Sequence, residues 1–243
     1  QTPIMFNSFN KSGFKIISAM ATSTKDVKII GRHDRGIANV EDLIGKKVGL
    51  TKGSTAEYFL NLVLSKQNLN ISDVKIINIR PSGIANALLN GDVDAVCIWE
   101  PHGMKTKKKL KENAIVVDVG EPYREDFYLV ASQKFLNRDP DAVKRFLQSI
   151  KEAQKFIHEH EDEAKKIVAK RIGISSIDIN TLWSEYDYKL MLDETIIKTL
   201  ESEAKWAITN GLTEDKNVPD YLNNFIHTEA LKEVDPVLMQ IVK

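Results

Sequence analysis

The stretch TKGSTAEYFL, residues 51–60, sets a glycine and two hydroxyls directly before an apolar run. Lys47–Leu50 just ahead of it reads as a short buried strand, and Tyr58, Phe59, Leu62 and Val63 recur at helical spacing after it. Gly53, Ser54 and Thr55 therefore stand where a strand hands over to a helix. Free backbone N–H groups and the positive end of a helix dipole meet at such a junction. It can hold an anion without a lysine. The same residues also fit a plain structural reading, in which Ser54 or Thr55 caps its own helix.

Working outward, Thr2-Pro3 has the chemistry of a helix start, with a helix expected over 4–9. Strands are expected over 14–20, 26–32, 74–79, 93–99, 115–118 and 127–131, where β-branched residues cluster between turn signals. Pro81-Ser82-Gly83 leads into a helix over 84–89, and Asp139-Pro140 opens a mainly helical remainder with Val143, Phe146, Leu147 and Ile150 on one face. Alternation of strands and helices in the first half predicts an α/β fold with a parallel or mixed sheet. Ligands of such sheets bind beyond the carboxyl ends of strands. Small polar junctions recur at Thr2-Pro3, Gly53-Ser54-Thr55 and Pro81-Ser82-Gly83, which shifts the balance at Gly53-Ser54-Thr55 from plain capping toward a ligand.

Lys+Arg and Asp+Glu are 34 each in the 243 residues, so nothing in the charge balance suggests a nucleic-acid partner. Cys97 is the only cysteine and lies in an apolar run, which excludes an internal disulfide framework and predicts a buried, inert thiol. No apolar segment reaches the roughly 18–20 residues of a membrane span. The chain starts without Met, at Gln1-Thr2-Pro3, and reads as cut mid-protein.

Three ordered stretches carry a resemblance: DRGIANVEDLIGKKVGLTKGSTAEYFL (34–60), ALLNGDVDAVCIWEPH (87–102) and FYLVASQKFLNRDPDAVKRFL (127–147). Together they resemble the periplasmic solute-binding proteins of sulfonate, taurine and nitrate ABC importers, of the NMT1/THI5-like kind. The related binding proteins for thiamine precursors share the pattern. The resemblance implies a two-lobe periplasmic-binding-protein fold of type II, with the ligand in the cleft between lobes and the first part of lobe 1 missing. It implies a lobe 1 remnant with the first hinge strand over 1–32, lobe 2 over 33–125, and the second hinge strand with the C-terminal helices of lobe 1 over 126–243. It assigns Gly53, Ser54 and Thr55 to the acidic head group of the ligand, with Ser82 at the neighbouring junction and Thr2 closing from the opposite lobe. Trp99 would wall the pocket or pack in the core. Glu100 would accept from an amine or form a rim or interlobe salt bridge. Asp126, at the approach to the second crossing, departs from the family pattern; a carboxylate there repels an anionic head group and suits an amino group.

The function implied is capture of a small organic anion, an aliphatic sulfonate such as taurine, and its delivery to the transmembrane subunits of an ABC permease. No reaction, cofactor or metal is expected, and the protein is expected to be a monomer in the periplasm or at the outer face of the membrane, held there by a lipid anchor or the permease. Two alternatives keep the fold: the ligand-sensing domain of a membrane signalling protein, and a binding protein for a thiamine pyrimidine precursor. Thiamine-pyrimidine synthases are similar in fold but use a cysteine-rich motif that Cys97 alone cannot supply. His158 and His160 lie two apart, so on a helix they diverge by about 200° and cannot share one ion. The run Lys105, Lys107, Lys108, Lys109 and Lys111 reads as a solvated helix face. Trp183, Tyr186, Tyr188 and Trp206 read as helix-packing residues rather than a stacking platform.

Overall fold

Each strand expected in the first half forms, and a computed structural model describes residues 1–10, 13–120 and 123–241. In chain order the elements begin with α1 (Thr2–Asn10), β1 (Phe14–Ser23), β2 (Lys28–Arg32), β3 (Lys47–Leu50), α2 (Thr55–Lys66), β4 (Lys75–Asn78) and α3 (Pro81–Asn90). They continue with β5 (Ala95–Ile98), α4 (His102–Leu110), β6 (Ala114–Val116), β7 (Glu125–Ser132), α5 (Gln133–Arg138), α6 (Pro140–Glu159) and α7 (Glu161–Ile172). The chain ends with α8 (Ser176–Trp183), β8 (Tyr186–Asp187), β9 (Leu192–Asp193), α9 (Glu194–Thr209), α10 (Tyr221–Asn224), α11 (Glu229–Val234) and β10 (Met239–Gln240). Backbone contacts divide these into one unit of Gln1–Ser23 with Glu125–Lys243, and a second of Thr24–Arg124. The resemblance drew its boundaries at 32/33 and 125/126.

The second unit is built on a five-stranded sheet in the order β4-β3-β5-β2-β6. β3 runs parallel to β4 and β5, whereas β2 is antiparallel to β5 and β6, so the sheet is mixed. Ile30, Ile84, Leu88, Val93, Val96 and Ile98 are fully buried between the sheet and α3 and α4. Burial of each such side chain contributes about 1.5–3 kcal/mol, enough to fix which ends of the strands point where. Cys97 is buried in the same sheet, its thiol donates to the Ala56 carbonyl at 3.2 Å, and burial pushes its pKa upward. A disulfide reagent such as DTNB is therefore expected to leave Cys97 unlabelled in the folded protein and to label it once in urea; rapid labelling of folded protein would contradict this placement.

The first unit is different in kind. Its sheet has three strands, in the order β7-β1-β8, and both pairings are antiparallel. β1 runs on to Ser23, beyond the expected end at 20, because β7 and β8 both hydrogen-bond to its last residues. The helices around the sheet follow their caps: Ser132, Asp139, Ser175 and Asp193 each accept a first-turn N–H with the side chain. On α6, Val143 and Leu147 are buried as expected, but Phe146 is 47% exposed. Trp206 packs edge-on against Phe6, holding α9 to α1, which is the helix-packing role read from sequence.

Candidate functional site

The mixed sheet brings the candidate residues of the second unit to one edge. β3, β4 and β5 are parallel, so the turn at 51–54, the junction at 79–83 and the segment from Trp99 all leave from carboxyl ends of adjacent strands. Side-chain bonds tie the first two together: Thr51 Oγ1 donates to the Ile79 carbonyl at 2.9 Å, and the Lys52 N–H donates to Asn78 Oδ1 at 3.0 Å.

Gly53 is exposed and has φ +72°, a conformation that glycine adopts without steric cost and that admits an approaching group. Ser54 holds the N-cap position of α2 with extended dihedrals (φ −114°, ψ 169°), yet its side chain does not cap the helix. Its hydroxyl donates instead to the Thr51 carbonyl at 2.6 Å. The plain capping reading thus fails for Ser54, and Thr55 is buried in the first turn. Sequence reasoning missed Glu57. Its carboxylate accepts the Gly53 N–H at 2.7 Å, so an anionic group already occupies one donor of this junction. The signal was present: Ser54 and Glu57 have the spacing of a capping box, although here the carboxylate reaches past the N-cap residue to Gly53.

Ser82 is exposed in the first turn of α3, where Arg80 at the N-cap provides no side-chain acceptor. Trp99 is half-buried, packs against the unit's apolar core and meets His102 edge-on at 6.3 Å between ring centres. Burial, then Lys105, pushes the His102 pKa down, against the pull of Glu100. Glu100 is not at a rim. Its side chain is 1% exposed, pairs with Lys28 at 2.8 Å, and accepts the Met104 N–H of α4 at 2.8 Å. Both partners lie in the same unit, so this ion pair is internal to it.

Thr2 and Asp126 belong to the first unit and are linked through Glu203 and Gln1. Thr2 is fully buried and donates its hydroxyl to Glu203 Oε1 at 2.9 Å. The Gln1 side chain donates to the same oxygen at 3.1 Å and accepts the Asp126 N–H at 2.7 Å. Asp126 and Glu203 are both fully buried, and Tyr128 reaches Asp126 Oδ2 at 3.5 Å. Burial, and in part the charge of Glu203, pushes the Tyr221 phenol upward. Glu203 stands 201 residues from Thr2, so no local pattern could have announced it.

Chemically, the second unit offers backbone donors at helix starts, suited to an anion, and the first offers interior carboxylates. The sequence profile described as NMT1/THI5 like matches residues 8–164. The chain belongs to the NMT1/THI5-like family. This NMT1/THI5-like chain is 30% identical over 226 residues to a Bacillus subtilis protein named for aliphatic sulfonates binding, covering 90% of the chain and 67% of that protein. It is 31% identical over 121 residues to the taurine-binding periplasmic protein of Escherichia coli, covering 49% and 37%. The chain spans about two thirds of the length of the relatives it matches over most of its own, down to 63% for binding proteins of Brucella.

Among solved structures, the periplasmic aliphatic sulphonate binding protein SsuA of Escherichia coli superposes with a TM-score of 0.79 at 17% identity, covering 92% of this chain and 77% of that one. The desulfurization enzyme DSZB also matches, with a TM-score of 0.72 at 17% identity, covering 96% and 82%. These likenesses establish the two-lobe periplasmic-binding-protein fold for this NMT1/THI5-like chain. Because an enzyme shares it, the fold alone does not separate binding from catalysis. No helix among the described residues is long and apolar enough to cross a membrane.

Proposed function

We propose that this chain is a solute receptor of an ABC importer that captures a small organic anion with a sulfonate head, without chemical conversion. The observation that carries the reading is the α2 junction, where Gly53 is open, the Ser54 side chain makes no cap bond to the first turn, and an anionic carboxylate already sits on the Gly53 N–H. A sulfonate is fully charged at neutral pH and presents three oxygens to such donors. Each charge-assisted hydrogen bond contributes about 1.5–3 kcal/mol, so a few reach micromolar affinity. Kinship with sulfonate- and taurine-binding proteins supports the same ligand class. In this reading the two contact units are the two lobes, and closure on the ligand forms the state that the permease subunits recognise. The protein then works as a monomer on the outer side of the cytoplasmic membrane, in the periplasm or on a lipid anchor.

Taurine, which carries an amine as well as a sulfonate, is the favoured member of the class. Its support is the pair of interior carboxylates, Asp126 and Glu203, in the unit that lacks the anion junction. Calorimetric titration with ethanesulfonate, taurine and a pyrimidine thiamine precursor tests both levels. Saturable micromolar binding of the sulfonates is the expected result, with taurine the tighter of the two. Equal binding of both sulfonates removes the amine, and binding of the pyrimidine alone overturns the head-group assignment.

A further inference from the structure

Three of the four aromatic residues read as packing, Trp183, Tyr186 and Tyr188, do more than pack. Trp183 and Tyr188 have ring centres 5.0 Å apart, and Tyr186 stacks on Tyr188 at 6.2 Å with an interplanar angle of 24°. The three rings line a cavity of about 280 Å³ that also receives Glu161 and Lys165 of α7 and Asp187 of β8. The cavity lies wholly in the first unit and shares no residue with the anion junction.

An internal cation already uses this wall. Lys165 Nζ sits 5.8 Å from the centre of the Trp183 ring and pairs with Glu161, and its side chain is only 16% exposed. An ammonium over an indole face is held by the ring quadrupole, more strongly as it is desolvated. Charge at the cavity does not balance there. Lys165 is matched by Glu161, and Asp187 lines the same cavity without an ion pair among the described residues. Burial pushes the neighbouring Tyr188 phenol up to about 12, so the rings stay neutral at physiological pH.

We infer that the Trp183–Tyr186–Tyr188 cavity is a second binding site, selective for a small organic cation of the alkylated-ammonium class, with the Lys165 ammonium as its internal competitor. Rings alone would accept any apolar guest of the right size. The surplus carboxylate of Asp187 and the position taken by Lys165 are what make it a cation site.

The test uses the full chain and two probes of similar size, tetramethylammonium chloride and neutral tert-butanol. The readout is the Trp183 indole N–H resonance, assigned by its loss in Trp183→Phe. A saturable shift with tetramethylammonium and none with tert-butanol is expected. Lys165→Met, which removes the competitor but keeps the aliphatic packing, is expected to tighten binding at least fivefold. Asp187→Asn, on an exposed residue outside the packed core, is expected to weaken it severalfold in a protein of unchanged melting temperature. Equal shifts with both probes would overturn cation selectivity, and no shift in either wild type or Lys165→Met would overturn the site.

Discussion

Glu100→Ala is expected to lower the unfolding free energy by about 3 kcal/mol or more, read as a shift of the urea midpoint at constant slope. The carboxylate is almost completely shielded and holds two things at once: the Lys28 ammonium at 2.8 Å and the Met104 N–H at 2.8 Å. Removing it takes the Glu100 carboxylate away from Lys28, itself only 10% exposed and also donating to the Lys25 carbonyl, and takes the Glu100 acceptor from an N–H in the first turn of α4. Gly103 shows how tightly the group is enclosed, since a Cβ there would lie 3.0 Å from Glu100 Oε1. Breaking one side of a buried pair costs more than the pair itself contributes, because desolvation of the survivor is then offset only in part. Lys28→Met should therefore be comparably harmful, and Lys28→Met with Glu100→Leu should recover part of the loss. If the two single losses simply add in the double variant, the pair is not coupled and this account of Glu100 fails.

What the sequence disclosed follows the range of the interactions involved. β3 and α2 were legible because their apolar spacing and the Gly53-Ser54-Thr55 turn are local, and the mixed sheet followed from alternating elements. The edge that gathers Gly53, Ser54, Ser82 and Trp99 was readable for the same reason, since the parallel order of β3, β4 and β5 sets it. Pairings made across long separations were not readable. Thr2 looked like a ligand-facing hydroxyl, and only the folded chain supplies Glu203 as its acceptor. Glu100 looked like a rim residue, and only the antiparallel pairing of β2 with β5, which sets Lys28 opposite Ile98, brings the ammonium to it. β8, β9 and β10 are two residues each, too short to show any alternation. Phe146 shares the apolar spacing of Val143 and Leu147 but lies at the edge of that face, where spacing alone does not decide burial.

Ser54→Asp and Glu57→Gln are expected to move sulfonate affinity in opposite directions without loss of fold. Aspartate is a good N-cap residue but cannot donate, so Ser54→Asp gives up the bond to the Thr51 carbonyl in exchange for a first-turn cap, and the melting temperature should change by only a few degrees. Its carboxylate would stand within a few ångström of the sulfonate. Two like charges about 4 Å apart at an effective dielectric near 20 repel by about 4 kcal/mol, so binding should fall by a factor of roughly one hundred or more. Glu57→Gln acts on the competitor instead. The Gly53 N–H is now held by a carboxylate at 2.7 Å, and an incoming sulfonate must displace it. A neutral amide oxygen accepts the same bond about half as strongly, so displacement becomes easier and affinity should rise about tenfold. Titration calorimetry on both variants, beside thermal melts, separates the possibilities. Loss of binding in Ser54→Asp with gain in Glu57→Gln, both folded, is what a contested anion junction requires. Unchanged affinity in both would place the head group elsewhere and return Ser54, Thr55 and Glu57 to a purely structural turn. A loss in Glu57→Gln would instead make its carboxylate a support for the ligand-binding turn rather than a rival of the ligand.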